Sequence, residues 1–260
     1  MSIRHQIQSY FSFLIRSTNQ HGVHSPFVYD LVTKCFYNSK KESAYKTIKA
    51  YQKRLRQNKT TIKVTDLGAG SQVFKSNSRT ISQITKVAGS NYKEAKLLYR
   101  LASYFKPNTI LELGTSLGIA TQALALGSPK ANITTVEGCP NISEVAREQF
   151  KHFDLNNITL KTGDFKTVIQ QLDSQITYDL IYCDGNHNKL ATLHYFEALL
   201  PKTHNDSILI FDDIYWSKDM TEAWKTIKKH PKVTVTVDTY AFGFVFFRQE
   251  QAKEHFTIRL

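Results

Sequence analysis

From Asn91 onward the chain alternates apolar helices with short β-branched strands, and no other feature constrains its fold as strongly. Tyr92 to Phe105 reads as an apolar helix that ends before Pro107. Strands follow at 109–113, 132–136, 158–161, 178–183 and 207–211, with helical stretches near 141–153, 165–172 and 188–200 between them. Strands joined through helices run parallel, because the crossover brings the chain back to the edge it left. After a helix at Met220 to Lys229, "KVTVTVD" and "FGFVFFRQ" are separated only by Thr239 to Ala241, so they pair as an antiparallel hairpin. The expected fold is α/β: a doubly wound, mostly parallel seven-stranded sheet over residues 91–260 that ends in a hairpin.

Two stretches compete as a ligand-holding glycine loop. Such a loop needs a buried strand before it, an apolar helix after it and an acid about 20 residues on that can take a ribose hydroxyl. "ILELGTSLGIATQALAL" meets all three requirements: Thr109 to Leu111 and Glu112 form the strand, Gly114 and Gly118 bracket the turn, and Ile119 to Leu126 form the helix. A second strand, "NITTV", then ends at Glu137. "VTDLGAGS", residues Val64 to Ser71, is followed by the polar "SQVFKSNSRT" and has no acid at the required distance. It reads as a tight turn whose glycines serve positive φ.

In open α/β sheets ligands gather at the carboxyl ends of the strands, and here those ends are acidic. Glu112, Glu137, Asp164, Asp184 and the pair Asp212–Asp213 each close or follow one strand. Asp184, Asp212 and Asp213 come from strands expected to be neighbours. Three converging carboxylates repel one another unless protons or a hard divalent cation neutralise them. One of them capping a helix while another faces water is the competing reading.

The first third of the chain is different in character. Met1 to Ser90 carries 15 Lys and Arg against 3 acids (Asp30, Glu42 and Asp66), whereas Asn91 to Leu260 carries 19 of each, so the whole net charge of +12 sits in this segment. An anionic partner and a solvated helix face both account for it. Ile3, Ile7, Tyr10 or Phe11, and Leu14 or Ile15 recur at helical spacing, and Ser25-Pro26 opens a second helix at Phe27 to Phe36. Residues 1–90 are therefore expected to form a basic, mainly helical extension that serves as a lid or an oligomerisation surface. His21 and His24 have no Cys or carboxylate nearby and read as hydrogen-bonded loop residues. Three cysteines, without a C-x-x-C spacing, point to a reducing, cytoplasmic setting. No run approaches the length of a membrane span or a signal peptide, so no membrane partner is expected.

"ILELGTSLG", "TTVEG", "TGDF", "YCDGNH" and "IFDD", in that order on a sheet closing with a hairpin, resemble the class I S-adenosylmethionine-dependent methyltransferases. Within that Rossmann-like superfamily they look most like the catechol-type, metal-dependent O-methyltransferases. The resemblance covers about Tyr92 to Arg248. It implies that Glu112, Gly114, Ser116 and Gly118 line the methionine part of the cofactor, that Glu137 takes both ribose hydroxyls, and that Asp164 and Phe165 flank the adenine. It implies Mg2+ on Asp184, Asp212 and Asp213. The family's lysine, three residues after the first metal aspartate, is replaced here by His187, an imidazole suited to general-base work near neutral pH. Tyr215 and Trp216 would wall the acceptor pocket or pack the core. The implied reaction is methylation of a small-molecule hydroxyl. RNA (tRNA) methylation through the basic segment and a non-catalytic cofactor-binding role are the alternatives, and a homodimer fits the amphipathic N-terminal helices.

Overall fold

The computed structural model of the chain describes residues 3–65, 76–87 and 89–260. The expected turn at Val64 to Ser71 lies outside the described residues beyond Thr65. Two compact units emerge, one made of Met1–Tyr37 with Ile169–Leu260 and the other of Asn38–Val168. The basic first third therefore contributes to both. Five of the larger strands belong to the first unit and three to the second. The count is one more than the periodicity suggested.

In the unit Asn38–Val168, α3 (Ala44–Gln57) buries Ile48, Tyr51, Gln52 and Leu55, one side of the helix, and leaves its lysines in water. A short hairpin, β1 (Thr61–Lys63) with β2 (Ser78–Thr80), is followed by α4 (Ile81–Val87). Helix α5 (Tyr92–Phe105) opens with a capping box. Asn91 Oδ1 accepts the Lys93 and Glu94 amides, and Glu94 accepts the Asn91 N–H in return, which satisfies donors that the helix start would otherwise leave unpaired. The parallel strands β3 (Thr109–Leu113), β4 (Asn132–Glu137) and β5 (Ile158–Thr162) follow, with Leu111 opposite Thr134 and Thr135 opposite Leu160. Between them run α6 (Ile119–Gly127) and α7 (Pro140–His152), and α8 (Phe165–Gln170) closes the unit. A Cβ on Gly127 would come within 2.5 Å of the Tyr99 carbonyl, so this glycine is what lets α5 and α6 approach closely.

In the other unit, β6 (Leu180–Cys183) and β7 (Ile208–Asp212) are parallel, β9 (Phe242–Phe246) runs antiparallel to β7, and β8 (Val235–Asp238) antiparallel to β9. The expected hairpin is therefore β8–β9. The additional strand is β10 (Glu254–Thr257), parallel to β8. Helices α9 (Lys189–Leu199) and α10 (Lys218–Lys229) accompany these strands, and Trp224 of α10 sits where a Cβ on Gly243 would stand, 2.8 Å from its ring. The N-terminal α1 (Ile3–Arg16) and α2 (Pro26–Asp30), which widens into a π-type turn at Leu31–Phe36, belong here too. Phe27 meets Phe246 edge-on with ring centroids 5.0 Å apart, Phe36 lies 5.1 Å from Phe244, and the Thr18 N–H donates to the Thr257 carbonyl. Burying aromatic rings of this size supplies the main driving force for docking the N-terminal segment.

Candidate active site

The loop after β3 turns through left-handed backbone at Gly114 (φ 108°), Ser116 (φ 47°) and Gly118 (φ 79°). Gly118 has a second constraint, because a Cβ there would lie 2.4 Å from the Phe150 ring and 2.6 Å from the Tyr51 hydroxyl. Tyr51, on α3, donates that hydroxyl to the Leu117 carbonyl at 2.8 Å and so props the loop from outside the strand-turn-helix unit. The contact joins residues 66 apart in the chain, so no local sequence pattern signals it.

At the end of β4 the Glu137 carboxylate is held at both oxygens. The Ser116 N–H donates to Oε2 at 2.8 Å and the Cys139 N–H to Oε1 at 2.9 Å. The Gly163 N–H donates to the Glu137 carbonyl, which brings Asp164 to the same edge. Asp164 Oδ1 accepts the Thr167 N–H at 3.1 Å and starts α8, whose first residue is Phe165. Glu112, fully buried, accepts the hydroxyls of Thr121 and Thr135 at Oε2, and Oε1 has no partner among the described residues. Burial pushes its pKa up to about 7, with the two threonine hydrogen bonds opposing.

The second group of carboxylates belongs to the other unit. Tyr182, buried in β6, donates its hydroxyl to Asp212 Oδ2 at 2.7 Å and lies 3.3 Å from Asp184 Oδ2, while Asp212 Oδ1 accepts the Asp213 N–H at 2.8 Å. His187 Nε2 stands between the remaining two acids, 3.7 Å from Asp184 Oδ1 and 4.0 Å from Asp213 Oδ2. Burial lowers the pKa of the imidazole while the Asp213 charge opposes the shift, and burial raises that of Asp213 against the pull of His187. The loop is fixed on either side: Asn186 (φ 63°) donates to the Tyr195 hydroxyl at 2.9 Å, and Asn188 Oδ1 caps α9. The His187 ring leans on Trp216 with centroids 5.8 Å apart.

Asp184, Asp212 and Asp213, the expected Mg2+ ligands, all belong to this network, in which Asp212 accepts a phenol and an amide while His187 stands between the other two acids. Among the described residues no three His, Cys, Asp or Glu side chains are grouped to hold an ion.

Beyond β7, Tyr215 is core and not pocket wall. It is buried, donates to Asp238 Oδ2 at 2.5 Å, accepts from Arg16 at 3.3 Å and stacks on Tyr240 at 5.3 Å. Tyr240 (φ 72°) donates its hydroxyl to the Gln6 carbonyl, Tyr10 packs edge-on against it at 5.0 Å, and Gln6 reaches the Trp216 carbonyl at 3.4 Å. Helix α1 thus lies against the segment that carries Trp216, and no expectation had singled out Arg16, Gln6 or Tyr240.

A sequence profile described as a methyltransferase domain matches residues 111–214. Over these residues the chain is similar to a methyltransferase domain. The match opens in β3 and ends at Ile214, so it takes in the glycine loop, Glu137, Asp164, His187 and the Asp212–Asp213 pair. A tRNA (guanine-N(7)-)-methyltransferase of Mycoplasma mobile is 34% identical over 71 residues, 27% of this chain and 35% of the relative. A protein-L-isoaspartate O-methyltransferase of Shewanella woodyi is 41% identical over 59 residues, 23% and 27% of the two chains. The chain thus spans about a third or less of the length of these curated relatives. In fold, the chain is similar to an SAH-bound methyltransferase of Podospora anserina at 16% identity, with a TM-score of 0.61 over 87% of this chain and 97% of that one.

Proposed function

We propose that the chain transfers a methyl group from S-adenosylmethionine to a hydroxyl of a small-molecule acceptor. The observation that carries this reading is Glu137, whose carboxylate is oriented by the Ser116 and Cys139 amides at the lip of the Gly114–Gly118 loop. A planar carboxylate oriented this way suits two vicinal hydroxyls, the chemistry of a ribose. The loop before it turns through left-handed backbone at Gly114, Ser116 and Gly118, with Gly118 packed on Phe150 and Tyr51 so that the turn is held in place. Gly114, Ser116 and Gly118 would hold the methionine part, and Asp164 and Phe165 the adenine. When bound, S-adenosylmethionine supplies an electrophilic methyl group on a sulfonium.

On the acceptor side His187 removes the hydroxyl proton, with Asp184 and Asp213 stabilising the imidazolium that results. Trp216, backed by α1, excludes water from this proton transfer, and the N-terminal helices select the acceptor. The proton transfer is assigned to these side chains alone. RNA as acceptor is the second reading, favoured by the exposed Lys46, Lys49, Lys53, Arg54 and Arg56 of α3.

The test is calorimetric titration with S-adenosylmethionine, followed by label transfer from the methyl-tritiated cofactor into a panel of small hydroxyl compounds and into total RNA. Failure to bind the cofactor overturns the proposal. Label in RNA alone, lost steeply with salt, moves the function to the second reading.

A further inference from the structure

Helix α1 exposes a continuous apolar ridge. Ile3 is 69% exposed, Ile7 50%, Phe11 61% and Ile15 85%. Their spacing of four residues places them one above the next along a single side of the helix. Single exposed apolar residues are ordinary, but a contiguous row of four is the mark of an interaction surface. The helix is not loose. Phe13 is buried, His5 bonds Thr221 at 3.0 Å, Gln6 reaches the Trp216 carbonyl, and Tyr10 and Phe13 lie 5.0 and 5.5 Å from Tyr240. The ridge is therefore presented by a helix whose other side is already anchored.

We propose that this ridge packs against the same ridge of a second copy of the chain across a two-fold axis. Rows at i, i+4 are one of the two ridge types through which helices interlock. Run antiparallel, the row is self-complementary: Ile3 of one copy meets Ile15 of the other, and Ile7 meets Phe11, as an isologous contact requires. The four side chains expose on the order of 500 Å² in each copy, so pairing them buries roughly the 1,000 Å² total that a specific interface needs. The charge pattern selects protein over lipid. Helices that lie on anionic membranes carry Lys and Arg along their polar face. Here the basic residues Arg4 and Arg16 stand near the two ends, Gln6, Gln8, Ser9 and Ser12 fill the turns between them, and Arg16 is bonded to Tyr215. Because the opposite side of α1 contacts Tyr240 and Trp216, dimer formation also steadies the wall beside His187.

The chain should sediment at twice its mass of 29.8 kDa at concentrations of micromolar to about 100 µM. Phe11→Glu should weaken association by at least ~100-fold, and Ile15→Lys, at the most exposed position, should do the same with an unchanged circular dichroism spectrum. Gln8→Glu, beside the ridge, should leave the dimer intact. A wild-type chain that stays monomeric throughout this range overturns the proposal, as does a folded Ile15→Lys variant that remains dimeric. Monomers that float with phosphatidylserine vesicles overturn it in favour of a membrane surface. Mass is read without methyl transfer, so the result stands apart from the activity.

Discussion

The hydroxyl of Tyr182 lies 2.7 Å from Asp212 and 3.3 Å from Asp184, so a phenol occupies the space between two carboxylates from adjacent strands. A hydroxyl at this position donates into the pair and eases the cost of burying it without cancelling its charge. Tyr182→Phe should cost about 1–3 kcal/mol, the penalty for a buried acceptor that loses its donor. Added Mg2+ or Mn2+ should raise the melting temperature of the variant and leave that of the wild type unchanged. Wild-type turnover should persist in chelator, and loss of activity in chelator with recovery on adding Mg2+ would count against this account of the carboxylates.

Glu137→Ala removes the acceptor of two backbone amides and the proposed ribose contact together. The loss should be on the order of 2–3 kcal/mol in cofactor binding, a tens-fold or greater rise in Kd. Isothermal titration calorimetry measures this directly, with circular dichroism to check that the sheet is intact.

Stability should fall as pH rises from about 4.5 to about 7, and Glu112 is the cause. Its folded-state pKa is raised by burial to about 7, from the ordinary 4.5. Its contribution is therefore fully present below the unfolded pKa. Between the two values the unfolded chain releases a proton that the folded chain keeps, and this contribution is lost as pH passes the folded value. The total is roughly 3 kcal/mol at 1.36 kcal/mol per unit. In urea titrations at stepped pH, Glu112→Gln should remove this component of the slope, gaining on the wild type at pH 8 relative to pH 4.

His187→Ala should lower kcat by about 10²–10⁴-fold, the range for a missing general base, and leave cofactor affinity unchanged. The side chain sits between Asp184 and Asp213, 3.7 and 4.0 Å from their oxygens, so its loss removes the proton acceptor between two acids. Single-turnover rates with saturating cofactor separate the chemical step from binding. An unaltered rate would assign His187 to structure alone.

The sequence by itself determined the elements and their order. A 3.6-residue period or a β-branched run is written in neighbouring residues, and both α5 and the β8–β9 hairpin fall where those patterns put them. The end of β4 at Glu137 and the turn at Gly114–Gly118 were legible for the same reason, since strand, turn and helix are consecutive. β10 was not, because "EHFT" is short and only Phe256 is buried, so its pairing with β8 comes from docking and not from pattern. Partners of side chains were decided by tertiary structure alone. Tyr182 reads as one more apolar residue of "LIYC" until β6 lies beside β7, when its hydroxyl meets Asp212. Glu112 reads as a rim acid until Thr121 and Thr135 close over it. A strand's direction and span follow from local sterics, whereas the atom facing each polar group depends on which distant segment packs there, and that depends on the burial of the whole core.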